Sequence, residues 1–385
     1  MYRKAVILSR FVPWPSDTGA FLYSSMITRL VMGFARETVM VAAENPFGSQ
    51  APPDDLRIAA ESAGKVSALG YLASGLPFSS QPFRTPALRE RAREELSAAD
   101  LVVLDHIGAC WALDLALAAG RAGACVVYSS QNVESDTRRT AISAGGLRAI
   151  FARLDARRLE AVERRLLRDA NVVICVSSND RDRFLEMGAR AELVVLNPVH
   201  SGKPRFVRLD ADTPRRVVVV GSFHWRAKQQ NLLRFLAARA AARPPTDVQL
   251  RVVGSGPAPF LRKLAEQYPD VEITGPVARI EDHLDGCRIG VIPEEEGGGF
   301  KLKALDYAYS GLPIFGLDAG LRGLPLQEGA SMRSFPTMSA LWAGIAAEID
   351  ALNILDGLRR NALAAFESGA TMEYLHETLG EVLRN

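Results

Sequence analysis

Cysteine is scarce in this sequence, with four residues, Cys110, Cys125, Cys175 and Cys287, in a chain of 385. None forms a C-x-x-C pair and no Cys/His cluster has zinc-ligand spacing, so a disulfide scaffold and a zinc module are both set aside. Cys125 and Cys175 lie in apolar runs, where a reduced thiol behaves as a small hydrophobe. A reducing, cytoplasmic compartment is the expectation. Long apolar runs are also missing. Ala5–Leu8 is too short for a signal-peptide core, and no uninterrupted stretch approaches the ~20 residues that span a bilayer. Any membrane contact is expected to be peripheral, at the inner face. Net charge is small as well. Lys and Arg number 46 against 44 Asp and Glu, a formal +2, so nothing global points to nucleic acid as a partner.

What the chain does have is length for two domains and an apolar fraction of 48%, enough for a core in each. Short β-branched runs alternate with amphipathic helical stretches. The clearest strands are Ala5–Leu8, Val39–Ala42, Leu101–Leu104, Cys125–Tyr128, Val172–Val176 and Leu193–Leu196. After a break come Val217–Val220, Gln249–Val253, Val271–Thr274, Ile289–Ile292 and Pro313–Phe315. Continuous apolar strands alternating with helices imply parallel sheets covered on both faces. The break holds Pro198, Gly202, Pro204 and Pro214 among polar residues and reads as a linker. Two doubly wound sheets place a cleft between them, and ligands in such sheets bind beyond the carboxyl ends of the strands. The residues just after strands are therefore the candidates.

The richest segment runs from Ile289 to Pro313. A strand leads into Pro293-Glu294-Glu295-Glu296, then Gly297-Gly298-Gly299-Phe300, then Lys301-Leu302-Lys303-Ala304-Leu305-Asp306. Glycines let backbone approach a ligand, and free N–H groups at a following helix start would face an anion. Lys301 and Lys303 add positive charge. Asp306 lies seven residues past Gly299, roughly 10 Å along a helix, about the reach from a diphosphate to its ribose.

This segment, with Ser310-Gly311-Leu312-Pro313 closing it, resembles the donor-binding motif of GT-B glycosyltransferases, specifically the retaining group 1 or family 4 enzymes. The resemblance departs in two places. Asp306 stands where the family has Glu, and the earlier Glu of its paired motif would fall at Gly298, the nearest carboxylate being Glu296. Val217–Val220 followed by Gly221-Ser222-Phe223-His224-Trp225-Arg226-Ala227-Lys228 is similar to the first turn of the family's C-terminal domain. Lys228 matches a Lys that contacts the donor diphosphate; Ser222 replaces the usual Arg, with Arg226 nearby. Gly254-Ser255-Gly256 lacks the third glycine of a dinucleotide fingerprint and reads as a structural turn.

In the N-terminal half, Gly19 follows the first strand, with Ala20 in place of the family's second glycine. His106, at the end of Leu101–Leu104, matches a His that contacts the donor sugar. Gln131-Asn132-Val133-Glu134 is similar to the family's H-N-V-E segment, with Asn132 and Glu134 placed for acceptor hydroxyls or, equally, for capping a helix. A helical stretch over Leu147–Arg168 carries arginines at 148, 153, 157, 158, 164, 165 and 168, a solvated face or, in a minority reading, an adhesive one for anionic lipid. Two D-x-D triplets, Asp180-Arg181-Asp182 and Asp210-Ala211-Asp212, do not end a strand beside the cleft, and no bound metal or other cofactor is expected.

Taken together, the resemblance implies an α/β chain of two Rossmann-like doubly wound parallel sheets. The domains are expected as 1–200 for acceptor, a 201–215 linker, 216–365 for donor, and a 366–385 helix packing back on the N-terminal domain. The activity implied is transfer of a sugar from a UDP- or GDP-sugar to a glycan or lipid-linked acceptor in envelope or exopolysaccharide assembly. His106, Lys228 and Lys301 are the implied catalytic residues. Gly19, Gly221, Ser222, Arg226, Glu296, Gly298, Gly299, Phe300, Lys303 and Asp306 are implied for the donor, Asn132 and Glu134 for the acceptor. A nucleotide-sugar epimerase or a non-catalytic nucleotide-sugar-binding relative is the alternative.

Overall fold

The computed structural model describes every residue except 17, 49, 141–145, 243–246, 296–298, 370 and 385. The chain divides into two units, one of Met1–Pro198 with Gly299, Phe300 and the C-terminal segment from Thr371, the other of the remainder from Val199.

Seven parallel strands form the first unit's sheet: β1 Tyr2–Phe11, β2 Ala35–Ala43, β3 Leu56–Glu61, β4 Leu101–Asp105, β5 Cys125–Ser129, β6 Val172–Cys175 and β7 Glu192–Val195. Their order is β3-β2-β1-β4-β5-β6-β7. β1 pairs with β2 on one side and β4 on the other, Val6 lying opposite Val39 and Val102. Strand order reverses there, and the carboxyl ends of β1 and β4 flank the crevice where such sheets bind ligands. All of Val6, Leu8, Val102 and Leu104 are fully buried, as a strand covered on both faces requires.

The second unit repeats the plan with β8 Arg216–Val220, β9 Gln249–Val253, β10 Val271–Gly275, β11 Ile289–Ile292, β12 Ile314–Leu317 and β13 Arg333–Phe335, ordered β10-β9-β8-β11-β12-β13 and all parallel. Its reversal point lies between β8 and β11. Its core includes Trp342, whose ring stacks on Phe235 at 4.7 Å and whose indole N–H donates to the Phe235 carbonyl at 3.0 Å.

Each of the eleven strands read from sequence is present. β3 and β13 were not expected: β3 is an edge strand of mixed burial and β13 has three half-buried residues, so neither carries a continuous apolar run. Gly254 holds φ +137°, and a Cβ there would sit 1.8 Å from the Gly221 carbonyl oxygen. It serves the close approach of two strand ends, a structural turn. The segment 201–215 lies along the second unit, Arg205 and Val207 donating backbone N–H groups to Tyr309 and Ser310. The C-terminal helix Met372–Arg384 belongs to the first unit: Tyr2 Oη donates to the Leu383 carbonyl at 3.0 Å, and His376 stacks on Phe34 at 4.2 Å. Residues 366–369 remain in the helix Leu352–Gly369 of the second unit. All four cysteines are free thiols. No single helix among the described residues is long and apolar enough to cross a membrane.

Candidate active site

The second unit gathers its polar groups beyond the carboxyl ends of β8 and β11. Gly221 leaves β8 and Ser222 follows, exposed; the helix Arg226–Ala242 starts at Arg226 and carries Lys228 in its first turn, both exposed. Partial desolvation and the like charge of Lys303 lower the Lys228 pKa, with Glu294 opposing. Trp225 is 73% exposed and does not serve packing.

From β11 the chain passes Glu294 to the glycine turn. Glu296 and Gly298 lie outside the described residues. Gly299 has φ +70°, a conformation that favours glycine, and a Cβ there would meet the Asn132 Oδ1 at 2.2 Å and the Gln131 carbonyl at 3.0 Å. The helix expected to open at the glycines begins later, at Lys303, and ends at Tyr309. Phe300 and Lys301 stay in irregular backbone, both half-buried. Lys303 does not present a free charge: its ammonium donates to Glu294 Oε1 at 2.5 Å. One turn on, Asp306 lines a cavity of about 280 Å³ with His200, Ala278, Arg279, Glu281 and Ser310. Burial pushes its carboxyl up to about 6, His200 and Lys303 pulling it down and Glu281 raising it further.

The first unit gathers a second cluster where its strand order reverses. His106 follows β4 with φ +69°, the sole non-glycine residue with positive φ among those described. Such a conformation costs on the order of 1–3 kcal/mol and persists because the surroundings fix it. Its N–H donates to the Ser129 carbonyl on β5 at 2.9 Å, and its Nδ1 accepts the Gly108 N–H at 2.8 Å. With Nδ1 an acceptor, the proton is assigned to Nε2, which faces Glu134 Oε1 at 3.2 Å. Burial and the charge of Arg10 lower the His106 pKa, with Glu134 and Asp105 opposing. Burial alone would raise Glu134; the hydrogen bond and charge of His106, the hydrogen bond from Asn132 and the charge of Arg10 reverse this and keep it ionised. Asn132 Nδ2 donates to the same Oε1 at 3.1 Å, and Oε2 accepts from no described residue. Gln131 instead turns to the first helix, donating to Ser24 Oγ at 3.0 Å. Gly19 opens that helix, exposed, behind the Thr18 cap.

Three participants were not legible. Arg10 belongs to β1, which extends to Phe11, beyond the apolar run that marked it. Its stem passes over Gly108, and its charge acts on both His106 and Glu134. Glu294 was one of three consecutive acids, and only its place one residue past Pro293 at the β11 edge separates it. Glu163, from the helix Gly146–Asp169, accepts the Glu134 amide at 2.6 Å and that of Ser135 at 3.3 Å, holding the segment that carries Glu134. The arginines of that helix are largely engaged within the unit. Arg158 donates to the Tyr71 carbonyl at 2.6 Å, Arg164 pairs with Glu160, and Arg165 and Arg168 pair with Asp169. The side chain of Arg148 lies outside the described residues.

Known proteins align with both halves. Residues 26–200 match the family model described as a glycosyl transferase 4-like domain, and residues 214–337 match glycosyl transferases group 1. No curated protein is a detectable sequence relative of the chain. Among solved structures, Anabaena Alr3699/HepE in complex with UDP and glucose superposes with a TM-score of 0.68 at 16% identity over 99% of each chain. Sucrose-phosphate synthase (tll1590) from Thermosynechococcus elongatus gives 0.70 at 16% identity, over 100% of this chain and 98% of that one. The lipopolysaccharide outer core galactosyltransferase WaaB, in its apo form, gives 0.65 at 14% identity over 99% of each. At these identities the structures speak for the fold. With two successive family models covering more than three quarters of its length, the chain belongs to the group 1, family-4-like glycosyltransferases, enzymes of GT-B fold.

Proposed function

We propose that the chain transfers a sugar from a nucleoside diphosphate sugar, UDP- or GDP-linked, to a hydroxyl of a glycan or lipid-linked acceptor, with retention, in the cytoplasm during bacterial envelope or exopolysaccharide assembly. The observation that carries the reading is the Asp306 cavity beyond β11, together with Lys228 in the first helical turn after β8 of the same unit, which makes no ion pair with a carboxylate among the described residues. The acid suits ribose hydroxyls, and Lys228 suits phosphate. The UDP and UDP-glucose held by Alr3699/HepE support this donor class, and the galactosyltransferase named for lipopolysaccharide supports the setting.

In this scheme the leaving diphosphate gains negative charge, and Lys228 with Lys301 stabilises it as the glycosidic bond breaks. Under retention the departing phosphate takes the acceptor proton, so no protein base is needed. Glu134, ionised, orients an acceptor hydroxyl, and His106 contacts the sugar beside it.

A thermal-shift screen against UDP-, GDP-, dTDP- and ADP-sugars tests the donor, since a ligand that binds only the folded state raises the melting point. A rise with UDP- or GDP-sugars is expected. No rise with any of them removes the donor assignment.

A further inference from the structure

His200 sits in the segment after β7, within the second unit, and no reading of the sequence singled it out. Its ring stacks on Tyr309 at 4.2 Å, and its Nδ1 lies 3.0 Å from the Gly202 N–H and 3.3 Å from the Gly202 carbonyl oxygen. The N–H is the nearer of the two, so Nδ1 is assigned as acceptor and the proton to Nε2, and Nε2 faces Asp306 Oδ1 at 3.7 Å. The side chains are 18% and 34% exposed and line the same cavity.

The separation is informative. It is too long for a hydrogen bond, so the pair leaves one donor and one acceptor unsatisfied toward each other. An oxygen placed about 2.9 Å from the nitrogen and about 2.7 Å from the carboxylate closes a triangle on this base. A hydroxyl does so with both roles filled, accepting from Nε2–H and donating to Oδ1. A phosphate oxygen has no proton to give the carboxylate, and an ammonium cannot accept from the imidazole. The stacking on Tyr309 and the Gly202 bond hold the ring in place beforehand, which lowers the ordering cost of binding. A volume of about 280 Å³, at the small end for ligand pockets, suits one ring-sized group.

We propose that His200 and Asp306 form a two-residue clamp on one ribose hydroxyl of the donor nucleotide, with His200 as the residue that distinguishes ribose from deoxyribose. The inference rests on the donor assignment above and adds a specificity residue to it. It also accounts for the shorter acid. Glu at 306 would reach ~1.5 Å further and would close on His200 itself, leaving no slot for a hydroxyl.

The test is calorimetric titration of UDP, GDP and their 2′- and 3′-deoxy forms into the full-length protein and its His200→Ala, His200→Gln and Asp306→Ala variants, each checked for an unchanged melting point. The wild type is expected to prefer the ribonucleotide about tenfold over one of the two deoxy forms. His200→Ala should erase that preference by weakening the ribonucleotide alone, and His200→Gln, which keeps an N–H donor, should retain most of it. If His200→Ala keeps the wild-type preference while Asp306→Ala loses it, the clamp is wrong and the donor site stands. If neither ribonucleotide binds the wild type, the donor assignment fails and the clamp with it.

Discussion

Lys303 Nζ donates to Glu294 Oε1 at 2.5 Å, and the two side chains are only 12% and 9% exposed. The second carboxylate oxygen, Oε2, is buried without a hydrogen-bond partner among the described residues. Removing the lysine would strand that charge, which costs about 3–5 kcal/mol, whereas replacing both partners by apolar groups of similar volume is close to neutral. Lys303→Met is therefore expected to lower the urea-unfolding free energy by that amount, and Lys303→Met with Glu294→Leu to recover most of it. A double variant as unstable as the single one would show that the pair is not an isolated ion pair.

Among the described residues Lys228 has no such ion-pair partner, and desolvation together with Lys303 lowers its pKa against the opposing charge of Glu294. A charge aimed at the leaving group and not neutralised by a carboxylate is the one whose loss reaches the transition state. Lys228→Ala should reduce kcat/KM for sugar transfer about a hundredfold, close to 2.7 kcal/mol. Lys301→Ala should act in the same direction. Full activity in both variants would remove the diphosphate from this loop.

The contrast between these lysines shows where sequence reading stops. Strand runs such as Val217–Val220 announce themselves by composition, and the residues that follow them are found by position alone. That position, together with the family resemblance, made Lys228, His106, Glu134 and Asp306 visible. The pairing of Lys303 with Glu294 depends on where the helix starts, and no local signal places that start at Lys303 and not at the glycines. Arg10 and His106 meet because β1 and β4 are neighbours across 90 residues of chain, an order that apolar periodicity does not encode. His200 escaped notice for a similar reason: the Pro-rich stretch around it reads as a linker, yet its ring packs on Tyr309.

Gly108 is the floor over which Arg10 reaches its neighbours. A Cβ at 108 would lie 2.1 Å from Arg10 Cδ and 2.4 Å from Cγ, in the middle of the stem where no end-group rotation relieves it. Gly108→Ala should therefore expel the guanidinium, costing about 1–3 kcal/mol of stability through overpacking and lowering transfer about as much as Arg10→Ala does. In the Arg10→Ala background the methyl group meets empty space. The double variant should match Arg10→Ala in rate and regain the stability lost by Gly108→Ala. Additive losses in both measurements would mean that Gly108 matters for its bond to His106 Nδ1 instead.

Glu163 gives the first unit a pH dependence of unusual sign. Burial pushes its carboxyl from 4.5 up to about 7, with donors from Ser135 and the Glu134 amide opposing. Between those values the folded protein holds a proton that the unfolded chain has released. Stability from this group therefore falls as pH rises from about 4.5 to about 7 and is level beyond, by about 3 kcal/mol in all. Glu163→Gln cannot titrate and keeps one carbonyl acceptor for the Glu134 N–H. Urea midpoints of the two proteins at pH 5, 6, 7 and 8 isolate the effect, because every other group titrates alike in both. The wild type should lead at pH 5 and lose that lead by pH 8. Parallel curves would mean that the carboxylate is already ionised at pH 5, held so by the two amides it receives.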